Sequence, residues 1–197
     1  MSIQDGQTSI PTAVQRLERA EDVADWARAE RDPLAMVVAA RMSRGVGIDD
    51  PLAPERLLAE ARLMARGDAT VLAVVAEEEA AEDRGVCVGP TRSEGLLSPG
   101  QRQSVRLRVA GGEIADAALR LPAGAPGGAD LDLIVTDMQG RRIAALTGPD
   151  SGVAGRAAYV QWRPDYPSDV DVSVLNVSRV STTYRLTLAP SQGGRCR

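Results

Sequence analysis

The residues Val105-Arg106-Leu107-Arg108-Val109 place an apolar side chain at every second position. Side chains on a β-strand point alternately to opposite faces, so this pattern predicts a strand with one buried face and one solvated face. The same alternation returns at Val170-Asp171-Val172-Ser173-Val174 and at Tyr184-Arg185-Leu186-Thr187-Leu188. A period of two therefore predicts stacked antiparallel sheets in the C-terminal half of the chain.

Turns rich in Gly, Pro and Asp separate the segments that carry this alternation. We predict seven strands, at residues 103–110, 113–121, 129–137, 141–147, 156–163, 169–177 and 182–189. The expected fold of residues 103–190 is an antiparallel β-sandwich or jelly roll. Residues 84–102, which are rich in Gly, Pro and Ser, are predicted to be a linker.

Residues 12–83 have the 3.6-residue spacing of helices instead. Thr12 and Gln15 form a capping-box pattern, and Asp32-Pro33 ends one helix and begins the next. A third helix is predicted from about Pro54 and a fourth from Asp68. Two helix hairpins, arranged as a four-helix bundle or as a two-hairpin stack, are therefore expected. The predicted fold class is α+β, with two segregated domains.

The composition excludes several kinds of chemistry. The chain of 197 residues has no His and no Lys, so all 23 cationic side chains are Arg. Catalysis by Ser-His-Asp or Cys-His groups, zinc sites with His ligands and Schiff-base chemistry are thereby excluded. Acidic and basic residues are interspersed at a net charge of −4, so no nucleic-acid partner is expected. No apolar run is long enough to predict a membrane span.

A candidate metal site lies around one predicted strand. Asp130 and Asp132 point to one face of residues 129–137 because side chains alternate, and Asp137 follows at the turn. Carboxylate oxygens together with backbone carbonyls suit calcium. The alternative interpretation is that Asp130 and Asp132 face solvent while Asp137 makes an Asx turn with Gly140. Calcium is the only cofactor that the sequence suggests.

The two cysteines flank the β segment. Cys87 precedes its first predicted strand and Cys196 follows its last, and the ends of a domain often lie close together. A disulfide between them would place the protein in an oxidising compartment. The alternative is two unrelated free thiols.

The largest apolar side chains belong to two tryptophans. Trp26, next to Ala27 on the first helix, is predicted to anchor the helices to one another. Trp162 is predicted to pack in the core or at the edge of the sandwich.

The segment Ala129–Gly140, ADLDLIVTDMQG, resembles the strand and turn D-x-D-L-x-V-x-D-x-x-G of bacterial pre-peptidase C-terminal domains. Three further segments match that family in the same order: Val160–Pro164, Val170–Asn176 and Tyr184–Leu188. The resemblance covers about residues 100–190. The helical half matches no family that we recognise, and the surface aromatics usual in the family are few.

This resemblance implies a β-sandwich accessory domain of exported bacterial proteins. We therefore expect a non-catalytic interaction protein that is periplasmic or secreted and that binds a protein partner through its helical domain. The first 12 residues do not have the pattern of a signal peptide, so a cytoplasmic protein is the alternative. The alternative functions are a calcium-stabilised accessory domain and a small hydrolase that uses a pair of carboxylates.

Overall fold

A computed structural model of the chain describes residues 11–46, 52–81, 90–122, 124–146 and 157–189. The helices are α1 (Ala13–Glu30), α2 (Pro33–Ser43), α3 (Pro54–Met64) and α4 (Ala69–Ala80). The strands are β1 (Thr91–Leu97), β2 (Arg102–Val109), β3 (Ala115–Arg120), β4 (Leu131–Asp137), β5 (Arg142–Leu146), β6 (Ala157–Trp162), β7 (Ser168–Asn176) and β8 (Thr182–Ala189). The α+β class is confirmed.

Three of the helices begin at side chains that satisfy free backbone N–H groups. Thr12 and Gln15 form the predicted capping box, in which each side chain bonds the other residue's backbone nitrogen at 3.1 Å. Asp32 accepts hydrogen bonds from Leu34 and Ala35, with Pro33 at the first helical position. Asp68 caps α4 in the same way. These local signals fix the helix boundaries.

The helices pack in series along the chain. Each helix contacts the next, and α2 also contacts α4. Arg28 of α1 binds Glu60 of α3 at 2.9 Å, and Glu78 of α4 binds Arg41 and Arg44 at 2.5 and 2.9 Å. The shared core is built mainly from Ala, Val, Leu and Met side chains of all four helices. The serial arrangement does not confirm the predicted four-helix bundle.

The strands form two antiparallel sheets of four strands. Sheet A has the order β1-β8-β3-β6, and sheet B has the order β2-β7-β4-β5. Apolar side chains from both sheets, such as Leu133 and Val172 of sheet B and Leu186 of sheet A, meet in one buried core. The β-sandwich and the inward and outward alternation are therefore confirmed. Each of the seven predicted strands is found within two residues of its predicted ends.

The eighth strand is one that the sequence analysis missed. Residues 91–97 lie in the predicted linker, but they form β1, which pairs with β8 along its whole length. This strand is polar and carries Gly95 opposite Tyr184. A side chain at residue 95 would collide with the Tyr184 ring, because an added Cβ would lie 2.7 Å from a ring carbon. Gly95 therefore allows Tyr184 to pack against β1.

The predicted segregation into two domains is not confirmed. Helix α1 lies against the outer face of sheet A and contacts β3 and β8. All six residues of β3 are buried, because the sandwich core covers one face of the strand and α1 covers the other. The helical and β segments therefore share an interface.

Candidate functional site at the junction of helix α1 and sheet A

We call the interface between α1 and strands β1, β3 and β8 the junction. Its helix side is acidic. Val14, Glu18, Glu21 and Asp22 lie three or four residues apart, or next to each other, on α1. Helical geometry places residues at such spacings on one side of the helix. Glu21 is buried with only 7% of its side chain exposed. The buried face of α1 therefore carries carboxylates toward the sheet.

The sheet side of the junction is basic. Arg92, Arg120 and Arg185 lie on the adjacent strands β1, β3 and β8, and Arg120 pairs directly with Arg185 in the ladder. All three point away from the sandwich core, because Leu97, Leu119 and Leu186, at positions of opposite alternation on the same strands, point into it. Sheet A thus presents three guanidinium groups to α1.

Arg120 makes the largest number of contacts across the junction. Its Nε lies 2.8 Å from the Glu18 carboxylate, and its Nη1 lies 2.8 Å from Asp22. Its Nη2 donates to the backbone carbonyl of Glu18 at 3.1 Å. The side chain is only 8% exposed. One guanidinium thereby binds two carboxylates and a carbonyl on successive turns of α1, which fixes the position of the helix along the strand.

Glu21 joins the two other arginines. One of its carboxylate oxygens accepts from Arg92 and the other accepts from Arg185. Arg185 also donates to Glu94 of β1 through Nε at 2.8 Å and Nη2 at 2.6 Å. Arg92 donates to Thr187 at 3.2 Å. The junction is therefore one continuous network across β1, β8 and β3.

Burial and the neighbouring charges shift the pKa values of these groups in opposite directions. Burial raises the pKa of the Glu18 carboxyl, and the guanidinium of Arg120 offsets part of this rise. Burial lowers the pKa of Arg120, but Glu18, Asp22 and Glu21 outweigh it and hold that pKa above its ordinary value. Arg120 therefore stays charged, and the proton-sensitive member of this pair is Glu18.

The N-terminal end of α1 rests on a second polar group. Tyr159 of β6 donates to Asp116 of β3 at 2.9 Å, and its hydroxyl lies 3.3 Å from the hydroxyl of Thr12. Asp116 is fully buried, and its Oδ1 has no hydrogen-bond partner among the described residues. Burial raises the pKa of Asp116, and hydrogen bonds from Thr12 and Tyr159 oppose the rise. Burial likewise raises the pKa of Tyr159, to about 12.

The junction was not predicted from the sequence. Of its charged residues, only Arg185 was part of an alternating pattern, which predicted a solvated strand face because charged side chains at such positions usually face water. One available signal was the composition of β3, in which Ala115, Ala117 and Ala118 surround Asp116. Small residues on both faces of a strand indicate that a second element approaches closely.

A pocket of about 380 Å³ opens beside the junction. It is lined by residues of β1, β3 and β8 and of the turn after β3: Glu94, Gly95, Arg120, Pro122, Thr183, Tyr184 and Arg185. A pocket of this volume falls in the range of small-ligand sites. It carries a single carboxylate, that of Glu94, whereas a glycosidase-type hydrolase needs two.

The predicted calcium ligands lie on and around β4. Asp132 is on the outer face of sheet B, opposite Leu175, and Asp130 precedes the strand. Asp137 instead occupies the β4–β5 turn, where its carboxylate accepts from Gln139 and Arg141. No trio of acidic side chains in the described ranges is arranged to hold a metal ion. The structure therefore shows the Asx turn, and calcium binding stays a prediction.

The proposed Cys87–Cys196 disulfide lies outside the described residues. The two tryptophans lie within them. Trp162 is buried in the sandwich core, as predicted. Trp26 is 53% exposed, so its predicted role as an anchor between helices is wrong. None of the described helices is long and apolar enough to cross a membrane.

No family model and no curated protein matches the sequence. Among solved structures, the pre-peptidase C-terminal domain of a collagenase from Bacillus anthracis is similar, with 16% identity and a TM-score of 0.40. The alignment covers 51% of this chain and 89% of that domain. The Yersinia pseudotuberculosis-derived mitogen has 14% identity and a TM-score of 0.41 over 51% of this chain and 85% of that chain.

A third similar structure is PliG from Aeromonas hydrophila, a periplasmic inhibitor of g-type lysozyme. It has 10% identity and a TM-score of 0.35, over 51% of this chain and 84% of that chain. Each of these alignments covers about half of the chain, so the β-sandwich is assigned here from the strands and their pairing.

Proposed function

We propose that this protein is a non-catalytic binding module, in which the β-sandwich is a scaffold and the helical segment binds a protein partner. The main support for the proposal is the junction. A helix joined to a sheet by a buried network of three arginines is held in one orientation, because each ion pair constrains direction as well as distance. The helices are therefore presented to a partner in a fixed position.

The helical segment also carries exposed apolar side chains. Trp26, Leu34, Val38 and Leu63 are all exposed, and Leu63 is 81% exposed. Tryptophan is enriched among residues that dominate the energy of protein interfaces. These side chains support the helical segment as the surface that the partner contacts.

The chemistry available to the chain supports a role without catalysis. With no His and no Lys, the sequence has no imidazole general base and no lysine amine nucleophile. The pocket beside the junction has one carboxylate, so the carboxylate hydrolase has no support from it.

We also propose that the protein acts in the periplasm or outside the cell. The support is the resemblance of about residues 100–190 to an exported domain family. A count of free thiols in the purified protein tests the compartment: zero thiols fits a Cys87–Cys196 disulfide, and two thiols contradict it.

The binding proposal is tested by a pull-down with the full chain. Immobilised wild-type protein, Trp26→Ala and Tyr166→Ala would be incubated with periplasmic and secreted extracts of the source bacterium. Tyr166 is an aromatic on the sandwich that is even more exposed than Trp26, 79% against 53%, so its variant is the control. We expect a partner that the wild type and Tyr166→Ala retain and that Trp26→Ala loses at least about tenfold. Recovery of nothing above background, or equal recovery by all three, would contradict the proposal.

A further inference from the structure

The pocket beside the junction shares two of its lining residues with the contacts that hold α1. Three neighbouring strands of sheet A line it through Glu94, Arg120 and Arg185, and Arg120 and Arg185 also bind α1. It is therefore continuous with the interface that holds the helices.

The two arginines of the pocket are already engaged. All three nitrogens of Arg120 donate to Glu18 or Asp22. All three nitrogens of Arg185 donate to Glu21 or Glu94. An anionic ligand would have to compete with these bonds, so an anion fits the pocket poorly.

Glu94 has accepting capacity that the protein does not use. Both of its hydrogen bonds, from Arg185, end on Oε1. In the part of the chain that the structure describes, no donor reaches Oε2, and the Glu94 side chain is 68% exposed. An ionised carboxylate accepts at both oxygens, so Oε2 is open to a donor from outside.

The charges around the pocket are also unbalanced. The guanidinium groups of three arginines face four carboxylates, those of Glu18, Glu21, Asp22 and Glu94. One negative charge is left in excess over this group of seven side chains. The remaining walls of the pocket include Pro122 and Tyr184 of β8, which offer apolar contact.

We propose that this pocket binds a cationic side chain, lysine or arginine, of the protein partner. The ammonium or guanidinium group donates to Glu94 Oε2, and the methylene stem lies along Pro122 and Gly95. A long cationic side chain fits because its stem can be buried while its charge is paired. The inference rests on the proposed function only in taking the cation from a protein.

The test uses the full chain labelled with ¹⁵N and three small probes: Nα-acetyl-lysine methylamide, Nα-acetyl-arginine methylamide and Nα-acetyl-norleucine methylamide. The side chains of the lysine and arginine probes are left unmodified and charged. Norleucine has the lysine stem without its charge. We expect the lysine and arginine probes to shift the amide signals of Glu94, Gly95 and Thr183. A dissociation constant on the order of 1 mM is reasonable for one ion pair with a short stem. Norleucine should bind up to about fivefold more weakly, which is the most that an exposed ion pair contributes.

Two variants decide which group binds the probe. Glu94→Gln keeps the shape and removes the charge, so it should weaken lysine binding by up to about fivefold. Asp169→Asn is the matched control, because Asp169 is a strand carboxylate on sheet B that also pairs with a neighbouring arginine, Arg108, at 3.1 Å. Thr183→Trp, which fills the pocket at an exposed position, should also abolish binding. Equal binding of norleucine and lysine, or unchanged binding to Glu94→Gln, would overturn the proposal.

The outcomes separate this proposal from the proposed function. If the lysine probe binds through Glu94 but the pull-down recovers no partner, the pocket stands and the binding-module proposal fails. If a partner is recovered and Glu94→Gln retains it as well as the wild type does, the pocket proposal fails and the binding module stands.

Discussion

Sheet A is covered on its two faces by different means. Its inner face packs Leu186 and other apolar side chains against sheet B, whereas its outer face places Arg92, Arg120 and Arg185 against acidic residues of α1. Apolar burial is non-directional and scales with area. Buried ion pairs gain little net stability, because desolvation offsets their attraction, but they demand one geometry. The inner face therefore holds the fold together, while the outer face specifies where α1 lies.

We expect the largest loss of stability from a substitution at the inner face of sheet A and sheet B. Leu133→Ala removes a fully buried side chain from the sandwich core and leaves a cavity. We expect the free energy of unfolding to fall by about 3 kcal/mol, as measured by urea denaturation. Leu96→Ala is the control, because Leu96 lies mostly exposed on β1 and should change stability by less than about 0.5 kcal/mol. A similar loss in both variants would mean that the core does not dominate stability.

The next effect is at the junction. Glu21→Gln removes the charge that both Arg92 and Arg185 bind, and it leaves those guanidinium groups buried without a full counter-charge. We expect a loss of about 2 kcal/mol in the free energy of unfolding. Glu79→Gln removes the carboxylate of the surface pair with Arg62, so it should cost at most about 1 kcal/mol. Equal losses would show that the junction is no more than a surface ion pair.

A smaller change, an increase in the free energy of unfolding at neutral pH, is expected from a substitution of Asp116. Because burial raises its pKa in the folded protein, protonated Asp116 stabilises the fold, and this contribution is lost as the pH rises from about 4 through the folded pKa. Asp116→Asn keeps the side chain neutral at every pH. We expect the variant to be more stable than the wild type at pH 7, and we expect this difference to disappear below pH 4.

Urea unfolding between pH 3.5 and 7.5 measures this difference. Asp169→Asn, on the exposed face of sheet B, should lack the gain at pH 7. A destabilised Asp116→Asn at neutral pH would show that the carboxylate is needed in its charged form.

The smallest effect concerns calcium. The Asp137 carboxylate is already engaged by Gln139 and Arg141 in the β4–β5 turn. We therefore expect the melting midpoint to be the same in millimolar calcium and in chelator, because only a ligand that binds the native state raises it. A midpoint that rises with calcium, and that Asp132→Asn lowers again, would establish the site predicted from the sequence.

The sequence was sufficient to predict the inner face of the sandwich. Alternation such as that of Val170, Val172 and Val174 is a local property, and these side chains are buried as expected. Strand β1 could not be predicted in this way, because Gly95 stands at an inward position where the Tyr184 ring supplies the bulk. Its pairing with β8 depends on contacts about 90 residues away along the chain.

The contacts of the junction also join residues that are far apart in the sequence. Arg120 and Glu18 are separated by 102 positions, and neither has a local pattern that distinguishes it from a solvated residue. Only the approach of α1 to β3 turns these charges into buried ones. Trp26 illustrates the reverse error, since a large aromatic on a helix suggested a core position and the structure exposes it.

The arginines of the junction also determine which modifications can reach it. A guanidinium does not lose its proton at any pH in which a protein stays folded, and it is not a substrate for the acetylation that neutralises lysine. With no lysine anywhere in the chain, amine-reactive cross-linkers have no side chain to attack. Mapping how α1 meets the sheet by cross-linking would therefore require reagents that couple carboxylates or that recognise arginine.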